Sequence, residues 1–248
     1  MFPIRDHNPS QSLPVVTYAL IAINVAVFLY GLAFVTTSAQ INQQYFDYAM
    51  IPARISMGEG YSTLITSVFL HAGFMHLAGN MLFLWIFGDN MEDEMGSLPF
   101  LVFYLVCGVG ATLAQYAADP ASQVATVGAS GAIAGVMGGY LLLFPKAKVD
   151  ILIILIIIFR IIPVPAFIML GLWFGLQLLQ SLGSDPNGGG VAYWAHSGGF
   201  IIGAILTLPL WLKLGGTRFW DRTDGHPPHP EAEYTFGKSS VPVVRRRR

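Results

Sequence analysis

The run PVVTYALIAINVAVFLYGLAF (residues 14–34) holds no charged side chain and is long enough to cross a lipid bilayer as a helix. A spanning helix needs about 20 mainly apolar residues. The whole chain has the same character, since 54% of its 248 residues are hydrophobic and 11% are charged. An average soluble domain carries roughly 25% charged residues, so these charges are too few to cover a water-soluble globule. The composition therefore predicts a membrane protein whose first span is about residues 14–35.

Five further apolar segments predict five further spans. An apolar run at 151–158, ILIILIII, is followed at once by Arg160 and Pro163. An arginine near a helix centre costs about 2.5–3.5 kcal/mol, and proline removes a backbone hydrogen bond. We therefore interpret 151–160 as an interfacial or partly re-entrant segment; the alternative is one long, proline-kinked helix. The predicted spans are 72–92, 97–118, 130–144, 165–182 and 193–213.

The distribution of lysine and arginine predicts the orientation of the six spans. An even number of spans places both termini on one face of the membrane. Of the 13 lysines and arginines, only Arg54 lies in the loops of the opposite face. Cytoplasmic segments carry such an excess, so both termini are predicted to be cytoplasmic. The predicted fold is an all-α polytopic membrane protein with a cytoplasmic lead (1–13), a six-helix domain (14–214) and a disordered basic tail (215–248).

Polar residues form three clusters inside the predicted spans, all toward the outer membrane face. Polar side chains in a span are costly and tend to mark function. His76 and Asn80, near the start of the second span, are four residues apart and share one helix face. Ser130 lies within Gly128–Gly131 at the start of the fourth span. The free N–H groups of a helix N-terminus favour a developing anion at that position.

The third cluster is Ala195–Gly199, near the start of the sixth span, and it contains His196. A histidine titrates in the range that suits a base acting on a serine. Each cluster alone also fits ordinary helix packing or interhelical hydrogen bonding. Together they supply a nucleophile, a base and two oxyanion donors at one membrane depth, which is the set that serine catalysis needs.

These residues resemble the motifs of the rhomboid family of intramembrane serine proteases. The resemblance consists of HxxxN at His76–Asn80, GxSG at Gly128–Gly131 and AHxxG at Ala195–Gly199. The motifs occur in the family's order, on its second, fourth and sixth helices. The resemblance covers about residues 12–214 and implies a rhomboid-like bundle of six helices.

The resemblance also implies a mechanism and site residues. Ser130 would attack the scissile carbonyl after His196 accepts its proton, and an acyl-enzyme would then be hydrolysed. The Ser130 N–H, His76 and Asn80 would stabilise the oxyanion. The supporting residues would be His71, Gly128, Gly131 and Gly199.

The same resemblance implies the partners, whereas the location is expected from the absence of an organelle presequence. Substrates would be transmembrane proteins cut near the outer face, reaching the site between the second and fifth spans. The expected surroundings are membrane lipid, with no nucleic acid, cofactor or metal. The expected location is the plasma membrane of a bacterium.

Two positions depart from the family pattern. The first outer loop has Pro52-Ala53-Arg54 in place of a Trp-Arg pair, and Ala134 stands where some members carry a tyrosine that stacks on the catalytic histidine. The sequence therefore does not identify what orients His196. A third catalytic carboxylate is not predicted, because the acidic residues of the second span lie at its opposite end, at Asp89, Glu92 and Asp93.

Three other functions remain as alternatives. A catalytically inactive relative that binds and escorts membrane proteins would have lost the serine or the histidine, and this chain has both. A transporter or channel would distribute ionisable residues across the membrane depth. A zinc enzyme would use His71, His76 and His196, but the chain has no HExxH motif.

Overall fold

The computed structural model describes residues 2–155, 158–183 and 190–232, which form mainly helices and one small sheet. A short 3₁₀ turn at Ser67–Phe69 precedes the helix that begins at Phe74. The strands are β1 (Phe2–Asp6), β2 (Lys148–Leu155) and β3 (Ile158–Pro165). The helices are α1 (Val15–Phe34), α2 (Ser38–Tyr48), α3 (Pro52–Ser56), α4 (Thr63–Thr66), α5 (Phe74–Met95), α6 (Ser97–Ala118), α7 (Ser130–Leu143), α8 (Ala166–Gly183), α9 (Tyr193–Leu214) and α10 (Thr217–Thr223).

Each of the six predicted spans coincides with a helix, but not every helix is long enough to count as a span. By length and apolar character, four helices qualify: α1, α6, α8 and α9. A fifth qualifies if residues 63–69 and α5, which meet at a bend of 95°, are taken as one span. Helix α7 has 14 residues, or about 21 Å at 1.5 Å per residue. The described residues therefore give a mostly helical membrane protein with four to five candidate spans.

Helix α7 lies at the centre of the bundle. Every residue from Gly131 to Tyr140 is buried. Helix α9 lies directly against it, and a Cβ added at Gly199 would overlap the carbonyl oxygen of Gly131. Glycine at this crossing removes the side chain that would hold the two backbones apart, as is common where membrane helices cross closely.

Residues 148–155 and 158–165 form two paired β-strands, so the all-α prediction is wrong for this part of the chain. Strand β2 pairs antiparallel with both β1 and β3, in the order β1-β2-β3. The long kinked helix is also wrong, because α8 begins only at Ala166. Six of the eight residues at 151–158 are isoleucine, a β-branched residue that favours strands. The prolines at 163 and 165 fall in β3, an edge strand, where the loss of an N–H donor is tolerated.

The N-terminal segment is fixed to the bundle through α5. The Glu92 carboxylate accepts hydrogen bonds from the backbone N–H groups of Val16 and Thr17, at 2.9 and 2.8 Å. These two N–H groups are among the first of α1, which have no acceptor within the helix. The acidic end of α5 therefore serves to cap α1, and the Asp93 carboxylate binds the backbone of the preceding residues 11 and 12.

Strand β1 ends in a buried carboxyl group, that of Asp6. Asn90 donates to its Oδ2 at 2.8 Å, and the Tyr140 hydroxyl donates to the same oxygen at 3.1 Å. Burial, followed by the nearby charge of Asp89, raises the pKa of Asp6 from 3.8 to about 7. On β2, the Asp150 carboxylate binds the side chains of residues 5 and 7, each at 2.8 Å.

The predicted disordered tail differs from the structure in its first part. Residues Thr217–Thr223 form α10, whose Phe219 is buried. The indole N–H of Trp220 donates to the carbonyl oxygen of Leu142 at 3.0 Å, which attaches α10 to the end of α7. A short helix that buries an aromatic side chain is ordered by that burial. The last part of the predicted tail, residues 233–248, lies outside the described residues.

Candidate active site

Ser130 and His196 are brought together by the crossing of α7 and α9. Ser130 is the first residue of α7, and His196 lies in the first turn of α9. The distance from Ser130 Oγ to His196 Nε2 is 2.8 Å, a normal hydrogen bond. The two side chains thus have the geometry in which an imidazole can take the proton of an alcohol.

The segment before α7 lies directly against the side chains of α5. Gly128 has φ +123°, a conformation that favours glycine. A Cβ at this position would lie 2.7 Å from both Cε1 and Nε2 of His76 and 3.6 Å from Nδ2 of Asn80. The Gly128 N–H donates to the carbonyl oxygen of Ser67 at 2.9 Å, which fixes the loop. Glycine is therefore required here both for the backbone angle and for the space that His76 occupies.

Asn80 and His76 each present a polar group toward this region. The Asn80 side chain is 7% exposed, and its Nδ2 has no hydrogen-bond partner among the described residues. The Ala72 N–H lies 3.4 Å from Nδ1 of His76. If Nδ1 is the acceptor in that contact, the ring proton is on Nε2. A buried amide donor without a partner is uncommon, and it is available to a ligand.

A cavity of about 930 Å³ connects these groups. Ser130, His196, His76 and Asn80 all line it. Its walls also include side chains of α5 and α8, among them Phe83 and Trp173. A mainly apolar cavity with a few convergent polar groups is the usual form of a binding or active site.

His196 is held by residues that the sequence prediction missed. Its Nδ1 lies 2.7 Å from Oε1 of Gln177 on α8. The Trp173 ring, one turn away on the same helix, lies 5.9 Å from the imidazole centroid at an interplanar angle of 32°. Ala134, the position of the family's tyrosine, is fully buried within α7. A polar side chain inside an apolar span is a general indication of function, and applying that rule to Gln177 would have identified it.

The predicted supporting residues lie at or near the same place. His71 is buried, and its ring centroid is 5.1 Å from that of His76. Gly131 and Gly199 form the close crossing of α7 and α9 beside the Ser130–His196 pair. Among the described residues, no three histidine, cysteine or acidic side chains gather in a metal-binding arrangement.

Comparison with known proteins gives consistent matches. The family model described as "Rhomboid domain" matches residues 58–213. The chain is similar to "Rhomboid protein 1, mitochondrial" of Saccharomyces cerevisiae, with 34% identity over 201 residues, covering 76% of this chain and 51% of that protein. It is also similar to "Rhomboid protease GluP" of Bacillus subtilis, with 32% identity over 196 residues, covering 79% of this chain and 36% of that protein.

A third relative is covered over more of its length. "Rhomboid protease AarA" of Providencia stuartii is 27% identical over 205 residues, covering 77% of this chain and 71% of that protein. The chain spans about half the length of the yeast relative and about a third of GluP. The similarity therefore covers most of this chain but only part of two of these relatives.

Proposed function

This chain belongs to the rhomboid family, and on that premise we propose that it is a serine endopeptidase that cleaves transmembrane segments inside the bilayer. It is a multi-pass membrane protein with relatives named as proteases. The observation that carries the proposal is the 2.8 Å contact between Ser130 Oγ and His196 Nε2, at the wall of a cavity. A serine and a histidine at this distance are the minimum set for nucleophilic catalysis of acyl transfer.

In the proposed mechanism, His196 Nε2 accepts the hydroxyl proton as Ser130 Oγ bonds to the scissile carbonyl carbon. The carbonyl oxygen becomes an oxyanion. His196 then gives its proton to the departing amine nitrogen, which leaves an ester on Ser130. Water, deprotonated by His196, attacks this ester; the bond between the acyl carbon and Ser130 Oγ then breaks, His196 returns the proton to Oγ, and the new carboxyl group is released.

The proposed oxyanion site consists of three donors from α5 and α7. Ser130 is the first residue of α7, so its N–H has no acceptor within that helix. Asn80 contributes a buried amide donor that is unpaired among the described residues, and His76 contributes its ring. Donors fixed in a water-poor site stabilise a developing charge without having to reorganise.

We assign the wider properties of the protein on the same basis. We assign six spans from the apolar segments and place both termini in the cytoplasm from the lysine and arginine distribution. From the family resemblance, we assign transmembrane proteins as substrates that reach the cavity between α5 and α8; side chains of α5 and the Trp173 ring of α8 line it. We assign the protein to the plasma membrane of a bacterium and the segment beyond α10 to a basic cytoplasmic tail. The glycines at 128, 131 and 199 and the histidine at 71 support the site without reacting.

The test is covalent labelling combined with cleavage. A fluorophosphonate should modify Ser130, as identified by mass spectrometry. Ser130→Ala and His196→Ala should each abolish cleavage of a single-span membrane substrate, whereas Ser62→Ala, an exposed serine, should cleave as wild type does. Label on a residue other than Ser130, or cleavage by the Ser130→Ala variant, would refute the proposal. If the wild type binds the substrate but does not cleave it, the result would instead favour a catalytically inactive escort protein.

A further inference from the structure

The side chain of Gln177 joins α8 to the proposed catalytic base on α9. Its Oε1 lies 2.7 Å from Nδ1 of His196, on the side of the imidazole ring away from Ser130. We propose that Gln177 is a positioning residue that holds His196 in the tautomer and orientation needed to accept the serine proton. This inference rests on the proposed function and names the third member of its hydrogen-bonded chain.

The chemistry of the two ring nitrogens supports this role. A neutral imidazole carries one proton, and the nitrogen without it is the acceptor. Because the Gln177 oxygen can only accept, it keeps the proton on Nδ1 and leaves the Nε2 lone pair facing Ser130. In a triad protease, an aspartate does this, and changing it to asparagine lowers kcat about 10⁴-fold because the wrong tautomer forms. That asparagine gives the wrong tautomer by presenting an N–H group to the imidazole, whereas the Gln177 amide presents its oxygen to Nδ1 of His196 and so favours the productive tautomer without placing a charge in the bilayer.

Gln177 is itself held in place by the packing of α8 against α9. Trp173, Gln177 and Ser181 are spaced four residues apart, so they lie along one face of α8. All three contact α9: Trp173 lies beside the His196 ring, and Ser181 Oγ lies 3.0 Å from Ser197 Oγ. The Ser181 hydroxyl also donates to the backbone carbonyl oxygen of Gln177 at 2.8 Å. The face is therefore packed against α9 at the turns on both sides of Gln177.

No other described side chain takes this role. The described hydrogen bonds of the imidazole go to Ser130 and Gln177 alone. The carboxylates of Glu92 and Asp93 bind the start of α1 and the segment before it. Without Gln177, the Nδ1–H would lie in an apolar span without an acceptor, and the ring would lose the contact that distinguishes its two nitrogens.

The test compares Gln177→Met, which keeps the length but removes the acceptor, with Gln177→Glu, which keeps an acceptor oxygen. The matched control is Gln180→Met on the same helix, where the side chain is exposed. Gln177→Met should lower kcat about 10–100-fold with KM changed less than about twofold, and should slow fluorophosphonate labelling by a similar factor. Gln177→Glu should retain at least about ten times the kcat of Gln177→Met, and Gln180→Met should match wild type.

The outcomes separate this inference from the proposed function. If wild-type Ser130 is not labelled, the proposed function fails, and the inference fails with it. Suppose instead that wild-type Ser130 is labelled. If the kcat of Gln177→Met is then within twofold of wild type, or if the kcat of Gln177→Glu does not exceed that of Gln177→Met, only the positioning role is overturned. Thermal unfolding in detergent shows whether each variant is folded; should Gln177→Met unfold, Gln177→Leu replaces it under the same criteria.

Discussion

We expect activity to depend on the absence of a side chain at Gly199, which allows α7 and α9 to cross closely. In Gly199→Ala, the new Cβ would lie 3.0 Å from the carbonyl carbon of Gly131 and 3.2 Å from Cβ of Ala111, and it would overlap the Gly131 carbonyl oxygen. The nearest of these groups is backbone, which cannot rotate away as a flexible side chain can. The two helices must therefore move apart.

The size of this movement follows from the contact distances. Carbon atoms are in optimal contact at about 3.5–4.0 Å, so the 3.0 Å separation from the Gly131 carbonyl carbon must grow by about 0.5–1 Å at least, and the overlap with the carbonyl oxygen requires more. Gly131 follows Ser130 directly, and Gly199 is three residues from His196. If the Ser130–His196 contact of 2.8 Å widens by the same amount, it reaches about 3.3–3.8 Å or more, beyond the usual hydrogen-bond range. Because a misplacement of about 1 Å costs about 10²-fold in rate, kcat should fall about 10–100-fold.

Cleavage of a single-span substrate in detergent or liposomes measures this effect. The matched control is Gly175→Ala on α8, where a Cβ would have no neighbour within 4 Å. The control should keep wild-type kcat, and both variants should show a single cooperative unfolding transition. If Gly199→Ala cleaves within twofold of wild type while folded, the close crossing of α7 and α9 does not set the position of the dyad.

Three further predictions concern the oxyanion donors and the N-terminal segment. His76→Ala and Asn80→Ala should each lower kcat about 10–1000-fold, because removing one oxyanion donor from another serine protease lowers kcat about 10²–10³-fold. If steady-state cleavage by either variant is within threefold of wild type, that residue does not belong to the oxyanion site. Asp6→Asn should flatten the pH dependence of stability. Because folding raises the pKa of Asp6 from 3.8 to about 7, the stabilisation is complete below 3.8 and is lost as pH rises through about 7. The unfolding temperature should therefore fall more steeply with rising pH for wild type than for Asp6→Asn, and parallel curves would contradict this. Asp150→Ala should destabilise the protein by about 1–3 kcal/mol, measured by chemical unfolding, because it removes the acceptor of two charge-assisted contacts to the N-terminal segment; unchanged stability would show that β1 is held without them.

The helices could be predicted because the apolar segments have nearly the length of a spanning helix and are bounded by residues that start or stop helices. Helix α6 covers residues 97–118, the same residues as the predicted third span, with Gly96 before it and Asp119 after it. The start of α7 at Ser130 was likewise predicted from the glycine-rich sequence around it. Such boundaries are local properties of the chain, so they can be found without knowledge of packing.

The strand pairing could not be predicted from the same evidence, and neither could the contact between Gln177 and His196, although a polar side chain in an apolar span marks Gln177 as a candidate. A short apolar run fits a buried strand and a buried helix equally well by periodicity, so 151–158 was ambiguous. What decides it is pairing with β1, which is about 145 residues away in sequence. Gln177 has no local motif around it, and its role depends on the approach of α8 to α9 in space.

The short length of α7 has a consequence for which peptide bond can be cut. At about 1.5 Å per residue, its 14 residues measure about 21 Å, against a hydrocarbon core of about 30 Å. If the C-terminal end of α7 lies at the cytoplasmic boundary of this core, Ser130 lies about 9 Å below the outer one. A helical substrate descends about six residues over that depth. The helix would then act as a ruler, so that a change in bilayer thickness moves the cut along the substrate.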